Sequence, residues 1–322
     1  MDFMRLVFRG DASPQIGSGH MMRLSSIAEE SISRGIESWM VGDIVGIPWL
    51  MDHVSNLGFS KVLPASTFAE TVSLDNILVL DSYTLATNSP ELLRSRWRRF
   101  VLIADEVTPH FDADLLFHPG LDGSWFDGKQ ENFRFGPSYI PLRKSIRQTA
   151  INNNSVLKNI VIFGGGTDYF EFAHTIAEAI AHFPDFDSAQ IYSNKLHDFA
   201  ALDPRFQVKP FGLGIDHDIQ KSDLVFTTAS TSSLEVIARG IPLGVACSVE
   251  NQVNYYQSMS SLGFACPVGE RLKENKWVLN HENIERLMGD SVFRKSLSDR
   301  CDGFIDLLGS KRIIDDVISF SD

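Results

Sequence analysis

Three stretches of this chain gather residue types that can do chemistry. The first is Arg9-Gly-Asp-Ala-Ser-Pro-Gln-Ile-Gly-Ser-Gly-His-Met-Met-Arg23. It lies between an apolar strand, Leu6-Val-Phe8, and an amphipathic helix from about His20 to Arg34. A histidine there meets the positive end of the helix dipole, a setting that favours neutral imidazole, which can take a proton from water or a hydroxyl. Asp11 is close enough in sequence to hold the ring in one tautomer, and equally suited to capping the turn. Gly17 and Gly19 allow either a tight turn or a close approach of backbone to a ligand, and Arg23 adds a cation one helical turn beyond His20.

The second stretch is Gly164-Gly-Gly-Thr-Asp168, again between a strand and a helix. It lacks the lysine of a P-loop and the spacing of a dinucleotide fingerprint. Gly165, Gly166 and Thr167 form a tight turn or bring backbone amides to a diphosphate. The third is Thr227-Thr-Ala-Ser-Thr-Ser-Ser-Leu-Glu235. One hydroxyl suffices to cap a helix, and six precede this one. Ser230, Thr231, Ser232 and Ser233 therefore read as a pyrophosphate cradle as well as a cap, with Glu235 placed for a ribose or sugar hydroxyl. Asn251 and Gln252 follow the next strand, either reading ligand oxygens or lying solvated in a loop. No His, Cys, Asp or Glu cluster has metal-ligand spacing. His110 and Asp112 read as rim residues of a proline-containing loop.

The elements that must position these groups follow an α/β rhythm. Apolar runs alternate with amphipathic segments, as in parallel sheets covered by helices. In the first half, strands are expected at 6–8, 38–42, 76–81, 100–105 and, as the last, 113–117. Asp81, Tyr83, Asp105 and Glu106 then fall at strand C-termini, the ligand-facing edge of an open sheet, beside the His20 loop. A turn-rich segment, Gly136–Pro141, and a polar run, 148–155, break the pattern, and a hinge is expected in that run. The alternation restarts with Asn159–Phe163 and continues to a tail helix expected through 304–308 and 313–320. The domains are read as 1–147, carrying the histidine loop, and 156–322, binding the nucleotide, with the last helix packing back on the first. The fold class is α/β: two Rossmann-like domains facing across a cleft, the GT-B architecture.

Composition narrows the setting. The chain of 322 residues is 43% hydrophobic and 22% charged, as soluble globular proteins are. No apolar run reaches the roughly 18 residues of a membrane span, and the apolar stretch between Arg5 and Arg9 is too short for a signal peptide. Cys247, Cys266 and Cys301 are widely spaced and read as reduced core thiols of a cytoplasmic protein. A net charge of −12 argues against nucleic acid as the main partner.

Taken together, these motifs resemble those of the nucleotide-sugar hydrolases of the pseudaminic acid pathway, relatives of the spore-coat polysaccharide biosynthesis proteins and of the MurG-type glycosyltransferases. The similarity covers Arg9-x-Asp11-x-Ser13, Ile16-Gly17-x-Gly19-His20, Arg23, Leu80-Asp81-Ser82-Tyr83, Ala104-Asp105-Glu106, Gly136-x-Ser138-Tyr139 with Leu142-Arg143, Phe163–Asp168, the Ser/Thr loop with Glu235, and Asn251-Gln252. It implies hydrolysis of a UDP-linked 2,4-diacetamido-2,4,6-trideoxy sugar at the anomeric carbon, with inversion. His20 would be the base that activates water, Tyr83 would position water or sugar, and Arg23 and Arg143 would belong to the substrate site. No metal or other cofactor is implied. Gly10, Pro14, the third glycine after Phe163 and the segment Gly120–Gln130 depart from the pattern and leave room for another sugar. An inverting glycosyltransferase, with His20 deprotonating an acceptor hydroxyl, is the alternative on the same scaffold.

Overall fold

The computed structural model describes residues 4–82, 85–104, 112–121, 131–148, 156–194, 199–272 and 276–319. The chain divides into two compact units, 1–145 with 306–322, and 146–305. Each is an α/β unit built on a seven-stranded sheet.

The first unit contains β1 (Arg5–Arg9), α1 (Gly19–Ser33), β2 (Glu37–Val41), α2 (Pro48–Asn56), β3 (Lys61–Leu63), β4 (Asn76–Leu80), β5 (Arg99–Ile103), β6 (Leu115–His118) and β7 (Phe133–Phe135). The order is β3-β2-β1-β4-β5-β6-β7, parallel throughout. Its strands read as unbroken apolar runs because both faces are covered. Leu6 and Phe8 of β1 pack with Leu24, Ile27 and Ala28 of α1 in one core, whereas Val7 joins Leu78, Trp97 and Phe100 in the other. α1 stops where Gly35 turns left-handed at φ 75°.

The second unit contains β8 (Leu157–Phe163), α3 (Phe172–Ile180), β9 (Phe186–Tyr192), α4 (Phe199–Leu202), β10 (Phe206–Lys209), α5 (Ile215–Gln220), β11 (Leu224–Thr228), α6 (Thr231–Arg239), β12 (Leu243–Cys247), α7 (Val253–Ser261), β13 (Cys266–Arg271), β14 (Trp277–Leu279), α8 (His281–Gly289) and α9 (Ser291–Cys301). The strand order is β10-β9-β8-β11-β12-β13-β14, and only β14 runs antiparallel to its neighbour among the described pairs. Its main core joins Ile160 and Ile162 to Ile176 of α3 and Leu287 of α8. Cys247, Cys266 and Cys301 are unpaired and buried. No helix among the described residues is long and apolar enough to cross a membrane.

Several sequence expectations need correction. The strand at 113–117 is not the last of its sheet, since β7 follows β6. The short edge strands β3 and β14, together with β13, α8 and α9, are not among the elements expected from the sequence. Residues 304–308 are not helical: Leu307 is left-handed at φ 64°, and Asp306 Oδ1 accepts the amide of Leu308 at 3.1 Å. The final helix is α10 (Gly309–Ser319), and it belongs to the first unit. Ile313, Ile314 and Val317 enter the same core as α1. The expected second domain, extending to 322, is therefore shorter at its C-terminal end. Residues 149–155 of the polar run and 122–130 of the Gly120–Gln130 segment lie outside the described residues.

One contact fixes the mouth of the first sheet. Gly42, just past β2, lies so close to Gly10, just past β1, that a Cβ on Gly42 would stand 1.7 Å from the Gly10 carbonyl oxygen. Gly289 has open space around it. We expect Gly42→Ala to lower unfolding free energy by about 2 kcal/mol or more, because backbone must separate. Gly289→Ala should change it by roughly 0.5 kcal/mol at most. Urea titrations of the two variants check this.

Candidate functional site

Both sheets bring chemistry-bearing residues to the same topological place. In the first, the chain builds outward from β1 through β2 to β3, then returns to β4 on the other side of β1. Neighbouring connections leave this reversal point in opposite directions, which opens a crevice at the strand C-termini. β1 ends there in the 10–18 loop that leads to α1. β4 ends there at Leu80, so Asp81 is the next residue, its amide bonded to the Arg9 carbonyl at 3.0 Å.

His20 is the second residue of α1. Asp81 Oδ1 stands 2.5 Å from its Nδ1. Arg23, one turn along the same helix, places Nε 2.8 Å from Asp81 Oδ2 and Nη2 2.9 Å from Oδ1. All three side chains are buried, Asp81 to 1% exposure. Burial pushes the Asp81 carboxyl up, but the charge of Arg23, followed by the contact with His20, outweighs it and holds it at about 2. An ionised carboxylate can only accept, so Nδ1 carries the proton of this bond. The arrangement is an aspartate–histidine dyad.

Asp11 does not hold the ring. Its carboxylate is 2.7 Å from Arg9 Nη1 and accepts the amide of Asp43 at 3.0 Å. Ala12 donates its amide to the Asp43 carbonyl at 2.9 Å and accepts the amide of Val45 at 2.9 Å, both in the loop after β2. Asp11 therefore pins the loop, the capping role open to it from sequence, and the dyad partner is the strand-end Asp81. Gly17 is left-handed at φ 85° with its amide on the Ser13 carbonyl at 2.7 Å, and Gly19 opens α1. Arg23, expected to bind substrate, has the edge of its guanidinium on Asp81. Arg143 is buried on the segment after the short turn Pro137–Tyr139, next to Lys144, whose amide bonds to Glu29 of α1. Tyr83, Asp105 and Glu106 lie outside the described residues.

In the second sheet the reversal falls between β8 and β11. The turn 164–168 leaves β8 there, and the start of α6 leaves β11. The two turns are neighbours: a Cβ on Gly165, left-handed at φ 67°, would stand 3.5 Å from Thr228 Oγ1. Gly164 must be glycine, because a Cβ would meet Asp168 Oδ1 at 2.2 Å. Asp168 is itself left-handed at φ 47° and starts α3 by accepting the amide of Ala173 at 3.1 Å. Burial pushes its carboxyl up to about 6, and its Oδ2 has no hydrogen-bond partner among the described residues. Gly165, Gly166 and Thr167 are half-exposed at this edge.

The six hydroxyls divide. Thr227, Thr228 and Thr231 are buried. Ser233 is spent on the helix start, accepting the Ser230 amide at 3.0 Å and donating to the Ser230 carbonyl at 2.6 Å. Ser230 and Ser232 are half-exposed at the first turn of α6, and Glu235 is buried on the same helix. Gln252 is also structural through its oxygen, which takes the amide and hydroxyl of Ser248 at 2.9 and 2.8 Å. Its neighbour Asn251 keeps a buried Oδ1 without a hydrogen-bond partner among the described residues. Among those residues no group of three His, Cys, Asp or Glu side chains is placed to hold a metal ion.

Comparison with known proteins agrees with this architecture. No protein-family model matches the chain. It is 24% identical over 281 residues to the UDP-2,4-diacetamido-2,4,6-trideoxy-beta-L-altropyranose hydrolase of Campylobacter jejuni, spanning 81% of this chain and 98% of that protein. Among solved structures, the glycotransferase of kitacinnamycin superimposes with a TM-score of 0.68 at 14% identity, covering 98% of each chain. MurG of Acinetobacter baumannii does so with 0.64 at 11% identity, covering 97% of this chain and 98% of its own. The fold is that of the GT-B glycosyltransferases, as expected from the sequence.

The two buried carboxylates should titrate with opposite effects on stability. Asp81, lowered to about 2 from 3.8, stabilises the folded chain above about pH 4, and that contribution is lost as the pH falls toward 2. Asp168, raised to about 6, holds its proton in the fold, so stability is highest below about pH 4 and declines as the pH rises through 6. Unfolding free energies measured by denaturant between pH 3 and 7 should lose the acid-side fall in Asp81→Asn and the decline toward neutrality in Asp168→Asn.

Proposed function

We propose that this protein hydrolyses a UDP-linked 2,4-diacetamido-2,4,6-trideoxyhexose to UDP and the free sugar. The observation that carries the reading is the His20–Asp81 dyad at the reversal point of the first sheet, and the likeness to the Campylobacter jejuni hydrolase supports the substrate class. In this mechanism water attacks the anomeric carbon as the bond to the UDP oxygen breaks. The water proton passes to His20 Nε2, while Nδ1 keeps its own proton and donates it in a hydrogen bond to the Asp81 carboxylate as imidazolium forms. Attack from the face opposite the departing UDP inverts the anomeric centre.

The second unit suits the leaving group. Backbone amides of Gly165, Gly166 and Thr167 and the hydroxyls of Ser230 and Ser232, at the start of a nine-residue helix, are proposed to hold the diphosphate, where the helix dipole favours the charge that builds as UDP departs. Glu235 and Asn251 are proposed to read ribose or sugar oxygens. Tyr83 is retained as the residue that positions water or sugar, and Asp11, Gly17 and Gly19 as the frame of the loop. Cell-surface polysaccharide biosynthesis in the cytoplasm is the setting proposed along with this activity.

The test is product analysis with a purified UDP-diacetamido-trideoxyhexose in 18O-water. One 18O should appear on the sugar and none on UDP, and His20→Ala should cut turnover by roughly 10²- to 10⁴-fold while UDP binding, read by calorimetry, is kept. Donor that is bound but never hydrolysed would sink the hydrolase. The structural likeness to glycosyltransferases favours one second reading, transfer to an acceptor hydroxyl deprotonated by His20. It predicts intact donor until an acceptor is supplied.

A further inference from the structure

Arg23 presents an unusual element beside an aspartate–histidine dyad. A bare buried dyad carries one negative charge at rest, and that charge attracts a proton onto the imidazole. Here the same carboxylate receives two guanidinium contacts, at 2.8 and 2.9 Å, from a side chain buried with it. Arg23 Nη2 also lies 3.1 Å from His20 Nδ1. With neutral imidazole, the buried group has no net charge. With imidazolium, it has a net positive charge and two cations in contact, a poor state in a low-dielectric site.

We propose that Arg23 is a positioning residue that acts through Asp81: it fixes the carboxylate as a two-oxygen acceptor and makes neutral, Nδ1-protonated imidazole the resting state of His20. It is not a group that touches substrate. The inference rests on the general-base reading of His20, whose resting nitrogen must be empty to take a proton.

Among the described residues, the other charged groups around the ring do not supply this balance. On β1 and its loop, Arg9 and Asp11 close on each other at 2.7 Å. Past β2, Asp43 takes the amide of Ala65 at 3.0 Å. The end of β5 offers Ile103 and Ala104, both uncharged. On α1 the neighbours Met21 and Met22 are apolar, leaving Arg23 as the cation on Asp81. Arginine is suited to the task because its planar fork meets both carboxylate oxygens and stays charged at any working pH.

The experiment is a histidine-15N NMR titration of the full chain, with kinetics on the same samples, for wild type, Arg23→Met and Arg23→Lys. His20→Ala assigns the ring signals. In wild type the ring should be the Nδ1-protonated tautomer. In Arg23→Met, the uncompensated Asp81 charge should hold the second ring proton, on Nε2, to higher pH, moving the imidazole midpoint and the acidic limb of kcat upward by at least one pH unit. KM should change less than about threefold. Arg23→Lys should restore the midpoint to within half a unit of wild type, with a lower kcat because one contact replaces the fork. If Arg23→Met fails to fold by circular dichroism, Arg23→Gln carries the same measurement.

An unmoved midpoint overturns the proposal. So does a tenfold rise in KM with kcat and midpoint unchanged, which would make Arg23 a substrate-binding group. The two readings fail separately. If His20→Ala keeps full turnover while the midpoint still moves in Arg23→Met, the base assignment falls and the role of Arg23 stands.

Discussion

The first unit is arranged around one buried negative charge. Asp81 ends the strand beside β1 and is almost wholly removed from solvent. An isolated carboxylate cannot stay ionised there, because desolvation favours the neutral acid. Arg23 supplies the compensating charge through both carboxylate oxygens, and His20 supplies a hydrogen bond. Both partners come from one helix, three residues apart, so the helix must start at the right place and face the right way. The glycine contact between residues 10 and 42, the left-handed Gly17 and the Arg9–Asp11–Asp43 links set that starting point.

The second unit uses a different kind of constraint at the equivalent place. Its reversal point carries backbone and hydroxyl groups. Gly164 and Gly165 let the chain turn against the end of β11, and Asp168 closes that turn at the cost of a left-handed backbone and a buried, raised carboxyl. Ser233 satisfies the helix start from inside and the Ser230 hydroxyl donates to the Thr228 carbonyl at 3.3 Å, with Ser232 beside them at the half-exposed first turn. The first unit thus carries a buried histidine–carboxylate pair at this place, and the second carries backbone amides and hydroxyls.

The likeness to glycosyltransferases fits this division of labour, since one scaffold serves chemistries that differ in the nucleophile. Water and an acceptor hydroxyl make the same demand on a histidine base. What separates them is which oxygen is held near the anomeric carbon, a matter of side chains around the sugar.

Much of this was legible in the sequence because it is local. Apolar strands, amphipathic α1, the two glycine turns, the hydroxyl-rich start of α6 and the strand-end carboxylate of Asp81 are all carried by neighbouring residues, and periodicity and turn chemistry read them directly. Pairings across the chain were not legible. Asp11 is nine residues from His20 and Asp81 is sixty-one away, so proximity in sequence favoured the wrong carboxylate. Only the parallel pairing of β1 with β4, Arg9 opposite Leu80, brings Asp81 to the ring. Arg23 looked like a ligand-binding cation until the same pairing gave it a buried counter-charge. α10 completes the first sheet's cover through Ile313, Ile314 and Val317. The sequence by itself determined the elements and the kinds of chemistry on their ends. The tertiary structure decided which charge faces which, because a buried carboxylate is settled by its nearest cation in space.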